Sequence, residues 1–100
     1  MLEVRRTEVF AKWLDGLRDW RGRARVQARI ERLAMGHAGD VKPVGGGVSE
    51  LRIDVGPGYR VYFTRRGETV VILLAGGNKS TQARDIKSAQ ALARAIQEVL

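Results

Sequence analysis

Glu50-Leu51-Arg52-Ile53-Asp54-Val55-Gly56-Pro57-Gly58-Tyr59-Arg60-Val61-Tyr62-Phe63 reads as two strands joined by a Gly-Pro-Gly turn. Leu51, Ile53 and Val55 alternate with Glu50, Arg52 and Asp54, while Tyr59, Val61 and Phe63 alternate with Arg60, Tyr62 and Thr64. Side chains along a strand switch faces with period two, so burying both apolar sets together sets Arg52 beside Arg60 on the opposite face. Like charges facing across a strand pair destabilise it. An anion between them removes that cost, and the sequence leads us to expect a backbone phosphate there. The plainer roles are an ion pair from Arg60 to Glu50 or Asp54 within the sheet and a solvated Lys79.

Working outward, Leu2 to Arg6 is a short strand, and Thr7 is placed to cap a helix running to about Arg18. Val9, Phe10, Trp13, Leu14 and Leu17 form its apolar stripe. Asp19 caps a second helix ending near Met35, with Ala24, Val26, Ile30, Leu33 and Ala34 inward. Arg18, Arg21, Arg23, Arg25, Arg29 and Arg32 load its remaining surface. Gly36 to Gly47, with five glycines and a proline, is expected to be a loop. Arg66-Gly67 is the second turn of a meander. Thr69 to Ala75 is apolar on both faces, as in a strand covered from both sides. Gly76-Gly77-Asn78 is expected to end that strand, its glycines allowing positive φ. Ser80 or Thr81 then caps a last helix with Ile86, Ala89, Ala93, Ile96 and Leu100 at helical spacing. The expected order is β-α-α-β-β-β-α, an α+β domain with helices on a mostly antiparallel sheet.

Eighteen Lys and Arg against 11 Asp and Glu give a formal charge of +7 in 100 residues. Such a balance is the footprint of a nucleic-acid binder or of a protein with an acidic partner. One hundred residues leave room for one domain with one modest core. There is no cysteine, so disulfides and thiolate metal sites are excluded. The single histidine, His37, stands in the glycine-rich loop, and no carboxylate pair has metal-ligand spacing. No metal or cofactor is expected. The longest apolar run, Val70 to Ala75, is too short to cross a membrane, and the N-terminus lacks the apolar core of a signal peptide. A cytoplasmic protein is the expectation. Gly76-Gly77-Asn78-Lys79-Ser80 is not a P-loop, because GxxxxGK[ST] is absent. Lys79 nevertheless follows the last strand and precedes a helix start, where backbone N–H groups favour an anion. Together with Arg52 and Arg60 it would form a three-cation site for a phosphodiester and its more negative transition state.

Glu50-Leu51-Arg52, Gly56-Pro57-Gly58-Tyr59-Arg60-Val61-Tyr62-Phe63, Leu73-Leu74-Ala75-Gly76-Gly77-Asn78-Lys79-Ser80-Thr81-Gln82 and Asp85-Ile86 resemble the addiction-module killer proteins. These are HigB-like toxins of type II toxin–antitoxin systems within the RelE/ParE superfamily, and the resemblance covers essentially the whole chain. It implies a RelE-like fold, a curved antiparallel sheet with two helices against it, as a single domain over residues 1–100. It implies a ribosome-dependent mRNA endoribonuclease that needs no metal or cofactor. In that chemistry the ribose 2′-OH attacks phosphorus, the 5′-oxygen leaves and a 2′,3′-cyclic phosphate forms. The implied partners are mRNA, the ribosome and an antitoxin, typically a small helix-turn-helix DNA-binding protein, so that DNA is reached only through the antitoxin.

Carried over by residue, Arg60 matches the phosphate-stabilising arginine, Arg52 the ELR arginine beside it, and Lys79 the basic position after the last strand. RelE has a tyrosine near its C-terminus that stacks on the substrate base. Here no tyrosine follows Phe63, and the corresponding stretch is Gln82-Ala83-Arg84-Asp85-Ile86. Tyr62, or Tyr59 from the apolar side, is left to stack, with Arg84 as a supporting RNA contact. Gln82 and Asp85 fit active-site hydrogen bonding and capping of the last helix equally well. The general base and acid have no assigned residue. Two other functions share these features: a ParE-like poison of DNA gyrase, and a non-catalytic nucleic-acid-binding module. The last requires aromatics interleaved with basic residues.

Overall fold

The computed structural model describes residues 1–99, and side chains up to Ile96. The elements are β1 (Glu3–Arg6), α1 (Glu8–Asp15), α2 (Trp20–Ala34), β2 (Val41–Gly45), β3 (Val48–Ile53), β4 (Tyr59–Arg66), β5 (Val70–Asn78), a 3₁₀ turn (Lys79–Thr81) and α3 (Gln82–Val99). They form a mixed α+β fold with one five-stranded sheet in the order β1-β5-β4-β3-β2. All pairings are antiparallel except β1 with β5. This architecture is compatible with a RelE-like fold.

The sheet is covered on both faces. On one, Phe10, Leu14, Val26 and Leu33 of α1 and α2 pack on Leu51, Ile53, Val61, Phe63, Val71 and Leu73. On the other, Ala89 and Ala93 of α3 pack on Val48, Tyr62, Ile72 and Leu74. Large buried side chains of this kind stabilise by about 1.5–3 kcal/mol each. The expected caps form: Thr7 Oγ1 accepts from Phe10 N at 3.1 Å and Asp19 Oδ1 from Gly22 N at 3.0 Å. Thr7 Oγ1 also donates to the Leu74 carbonyl at 2.7 Å, fastening the start of α1 to β5. No helix among the described residues is long and apolar enough to cross a membrane.

Several expectations are corrected. The supposed loop Gly36 to Gly47 contains β2, paired with β3 across a Gly46-Gly47 turn in which both glycines have positive φ. The element order therefore gains a strand. Glycines obscured β2, although backbone pairing asks little of its side chains. β5 does not stop at Gly76 but runs through Asn78, and neither Gly76 nor Gly77 has positive φ. A Cβ at Gly76 would overlap the Trp13 ring, and one at Gly77 the Asp85 carboxylate. These glycines are small because helices press on both faces of the strand. α1 ends at Asp15, short of Arg18, and Val9 and Ala24 are exposed rather than buried. Asn78, not Ser80 or Thr81, caps the 3₁₀ turn that leads into α3: it accepts from Ser80 N at 2.9 Å in a reciprocal box with Thr81. Leu100 lies outside the described residues.

Candidate phosphate-binding site on the sheet face beneath the last helix

Arg52 and Arg60 are direct partners in the β3–β4 register, on the face that α3 covers. Glu50, two residues before Arg52 and opposite Tyr62, lies on the same face and is fully buried. Its carboxylate supplies an anion to both arginines. Arg52 Nε donates to Glu50 Oε1 at 3.0 Å; the Tyr62 hydroxyl and Gln82 Nε2 donate to Oε2 at 3.1 and 2.7 Å. Arg60 Nε stands 3.9 Å from Oε2, an ion-pair distance that is too long for a hydrogen bond. The anion that relieves the arginine pair is thus supplied by the chain itself.

Burial pushes the Glu50 carboxyl up, but the hydrogen bonds from Gln82, Arg52 and Tyr62 and the charge of Arg60 outweigh it and hold the group below its ordinary value. It is ionised at neutral pH and has no open face toward a substrate, so it orients rather than abstracts protons. Burial first, then the Glu50 charge, pushes the Tyr62 hydroxyl far above its usual range. Tyr62 is fully buried and Tyr59 nearly so, with the Tyr59 hydroxyl donating to Asp19 Oδ2 at 2.8 Å. The structure thus buries both tyrosines from which base stacking was expected. Tyr62 instead supports Glu50.

Both guanidinium groups keep hydrogen-bonding capacity. Arg60 spends Nη1 on the Tyr59 carbonyl at 3.2 Å, while its Nε is buried without a hydrogen-bond partner. Arg52 is a third exposed. Its backbone is held from the far side of the sheet by Arg29 of α2, whose Nη1 donates to the Arg52 carbonyl at 2.7 Å and Nη2 to the Ala38 carbonyl at 3.0 Å. Lys79 is exposed at the start of the 3₁₀ turn. A Cβ at Gly58 would sit 3.5 Å from the Lys79 Cβ and 3.6 Å from Arg60 Nη1, so the turn, Lys79 and Arg60 meet at one end of the sheet.

Gln82 opens α3 and also holds Glu50. Asp85 is buried, accepts from Thr81 Oγ1 and presses on Gly77. Arg84 points to solvent, its side chain 76% exposed and 3.7 Å from Asp85. His37 is exposed. Among the described residues no three His, Asp or Glu side chains stand close enough together to hold a metal ion.

The profile of the phage-derived protein Gp49-like family (DUF891) matches residues 12–98. The chain belongs to that family. It is a toxin family of RelE-like, toxin–antitoxin type, which implies an antitoxin as partner. An uncharacterized protein of Haemophilus influenzae (strain ATCC 51907 / DSM 11121 / KW20 / Rd) is 47% identical over 95 residues, covering 95% of this chain and 96% of its own. In this Gp49-like chain the residue that sequence reasoning undervalued is Glu50. The signal was present: a carboxylate two positions before Arg52 must share its face. The sequence offers it only as an ion-pair partner for Arg60 within the sheet, and the structure adds Arg52, Tyr62 and Gln82 around it.

Proposed function

We propose that this Gp49-like protein is a HigB-like toxin that cleaves mRNA on the ribosome without a metal, residues 1–100 acting as one toxin domain in the cytoplasm. The observation that carries this is the cross-strand arginine pair, set by Glu50 and retaining free N–H groups, with Lys79 at the same end of the sheet. Arg60 and Arg52 hold the scissile phosphate; planar guanidinium groups suit its paired oxygens. The 2′-OH attacks phosphorus and loses its proton, the bond to the 5′-oxygen breaks, and that oxygen gains a proton. Lys79 neutralises the charge that grows on the phosphate and leaving oxygen. A small helix-turn-helix antitoxin neutralises the protein and supplies any contact with DNA.

The test is cleavage of translated mRNA. The 5′ fragment should end in a 2′,3′-cyclic or 3′ phosphate, and a 2′-deoxy substitution at the cut nucleotide should stop the reaction. Purified gyrase should keep supercoiling in the presence of the protein. Gyrase inhibition without RNA cleavage would replace this reading with a ParE-like one.

A further inference from the structure

Trp20 is the first residue of α2, and its side chain is unusually open: 72% exposed in a chain with only two tryptophans. The Arg21 guanidinium lies 5.5 Å from the Trp20 ring centroid, within cation–π range. The two residues head an open groove of about 430 Å³ completed by Ala24, Arg25, Ala28 and Val55. Arg21 and Arg25 make no ion pair among the described residues, whereas Arg23 reaches Asp15 at 3.4 Å and Arg29 is turned inward. An exposed ring beside arginines that have no ion-pair partner among the described residues, over a shelf of small alanines, has the make-up of a stacking platform with a backbone-tracking edge.

This groove adjoins the arginine pair. Val55 begins the Gly56-Pro57-Gly58 turn. A Cβ at Gly56 would lie 3.6 Å from Asp19 Oδ2, and Asp19 caps the helix that Trp20 opens. The far end of the same turn touches Lys79 and Arg60. Two basic regions on opposite sides of the sheet are thereby joined around one three-residue turn. The Asp19 carboxylate on that path is engaged by Gly22 N and the Tyr59 hydroxyl.

We propose that the Trp20 groove is a second RNA-binding surface, on which a base flanking the phosphate held at Arg60 stacks against Trp20 while Arg21 and Arg25 hold the adjoining backbone. It rests on the proposed function for the phosphate at Arg60 and extends it to a path for the strand. An acidic protein segment would also satisfy the arginines, but the continuity with the arginine pair through the turn favours a polynucleotide.

The experiment measures fluorescence anisotropy of a labelled 2′-O-methyl oligoribonucleotide, which cannot be cut, across a salt series. Trp20→Ala should weaken binding by about tenfold, and Trp20→Phe should restore most of it. Arg21→Ala with Arg25→Ala should lower the slope of log K against log salt by about 1.4, or about 0.7 for each lost phosphate contact. Equal affinity and slope in Trp20→Ala and the double arginine variant overturn the proposal, as does a wild-type protein that fails to bind at low salt. Poly-L-glutamate is the second probe. If Trp20→Ala loses poly-L-glutamate binding and keeps oligonucleotide binding, the groove belongs to an acidic polypeptide and the proposal falls. A wild-type protein that binds the oligonucleotide through Trp20 but leaves translated mRNA intact keeps this surface and removes the nuclease reading.

Discussion

At the scale of single residues, the arrangement turns on how a carboxylate is kept charged in a place that disfavours charge. Glu50 is fully buried, yet two arginines, a tyrosine and a glutamine converge on it. Removing one partner of such a buried pair typically costs about 3–5 kcal/mol, because the remaining charges stay buried. Glu50→Ala should therefore lower stability by about that much, as read from urea unfolding. The pH dependence is set by the lowered carboxyl pKa. The stabilisation is fully present above the unfolded value near 4.5 and is lost as pH falls through the lower folded value. Wild type should thus lose stability more steeply on acidification below about pH 4.5 than Glu50→Gln, whose side chain does not titrate. Arg60→Ala should lower cleavage and growth arrest by roughly 10²–10³ while the protein still folds, since one donor to a developing oxyanion is worth about that much. Arg52→Ala should cost less, because Arg52 is more exposed than Arg60. Toxicity equal to wild type at equal expression would remove Arg60 from the site. The juxtaposition of Arg52 and Arg60 was legible from strand alternation alone. The Arg60–Glu50 ion pair was legible as the plainer alternative, but the part of Gln82 was not, since a separation of 32 positions conceals that its side chain meets Glu50.

Among the elements, the end of β5 is under the tightest geometric control. Trp13 of α1 lies against Gly76 on one face, and Asp85 of α3 against Gly77 on the other, so two helices share one narrow piece of backbone. Overpacking of this kind costs about 1–3 kcal/mol or more. Gly76→Ala and Gly77→Ala should each destabilise by at least that amount. Trp13→Leu should recover part of the loss in Gly76→Ala and none of it in Gly77→Ala. Gly67 gives the contrast: its φ is +64° with open space around it, so Gly67→Ala meets only backbone strain of about 1–2 kcal/mol. Thermal melts of these variants separate the two mechanisms. Helix periodicity and caps placed α1 and α2 because Thr7 and Asp19 act within a few residues of themselves. β2 was hidden because Lys42, Pro43 and Gly45 are poor strand formers that pairing with β3 overrides. The role of the Gly76-Gly77 pair was equally hidden, because sequence shows that a residue is small without showing what presses on it.

For the whole molecule, part of the +7 charge stands on opposite sides of the sheet, at the Arg52–Arg60 pair and at Arg21 and Arg25 on α2. Glu50 reduces the local excess at the arginine pair, leaving Arg21 and Arg25 on α2 as the less compensated region. A field of this extent acts on the approach of a partner before any contact forms. An antitoxin that neutralises the protein should therefore carry acidic residues where it meets the chain, and its association rate should fall steeply with salt. Dissociation depends on short-range contacts that salt screens weakly, so it should change much less. Stopped-flow association between low and physiological ionic strength, with dissociation measured by competition, checks both halves. Arg21→Ala with Arg25→Ala should slow association and flatten its salt dependence while leaving dissociation nearly unchanged. If the association rate is the same at both ionic strengths, the surplus charge does not steer the antitoxin, and its role lies with RNA alone.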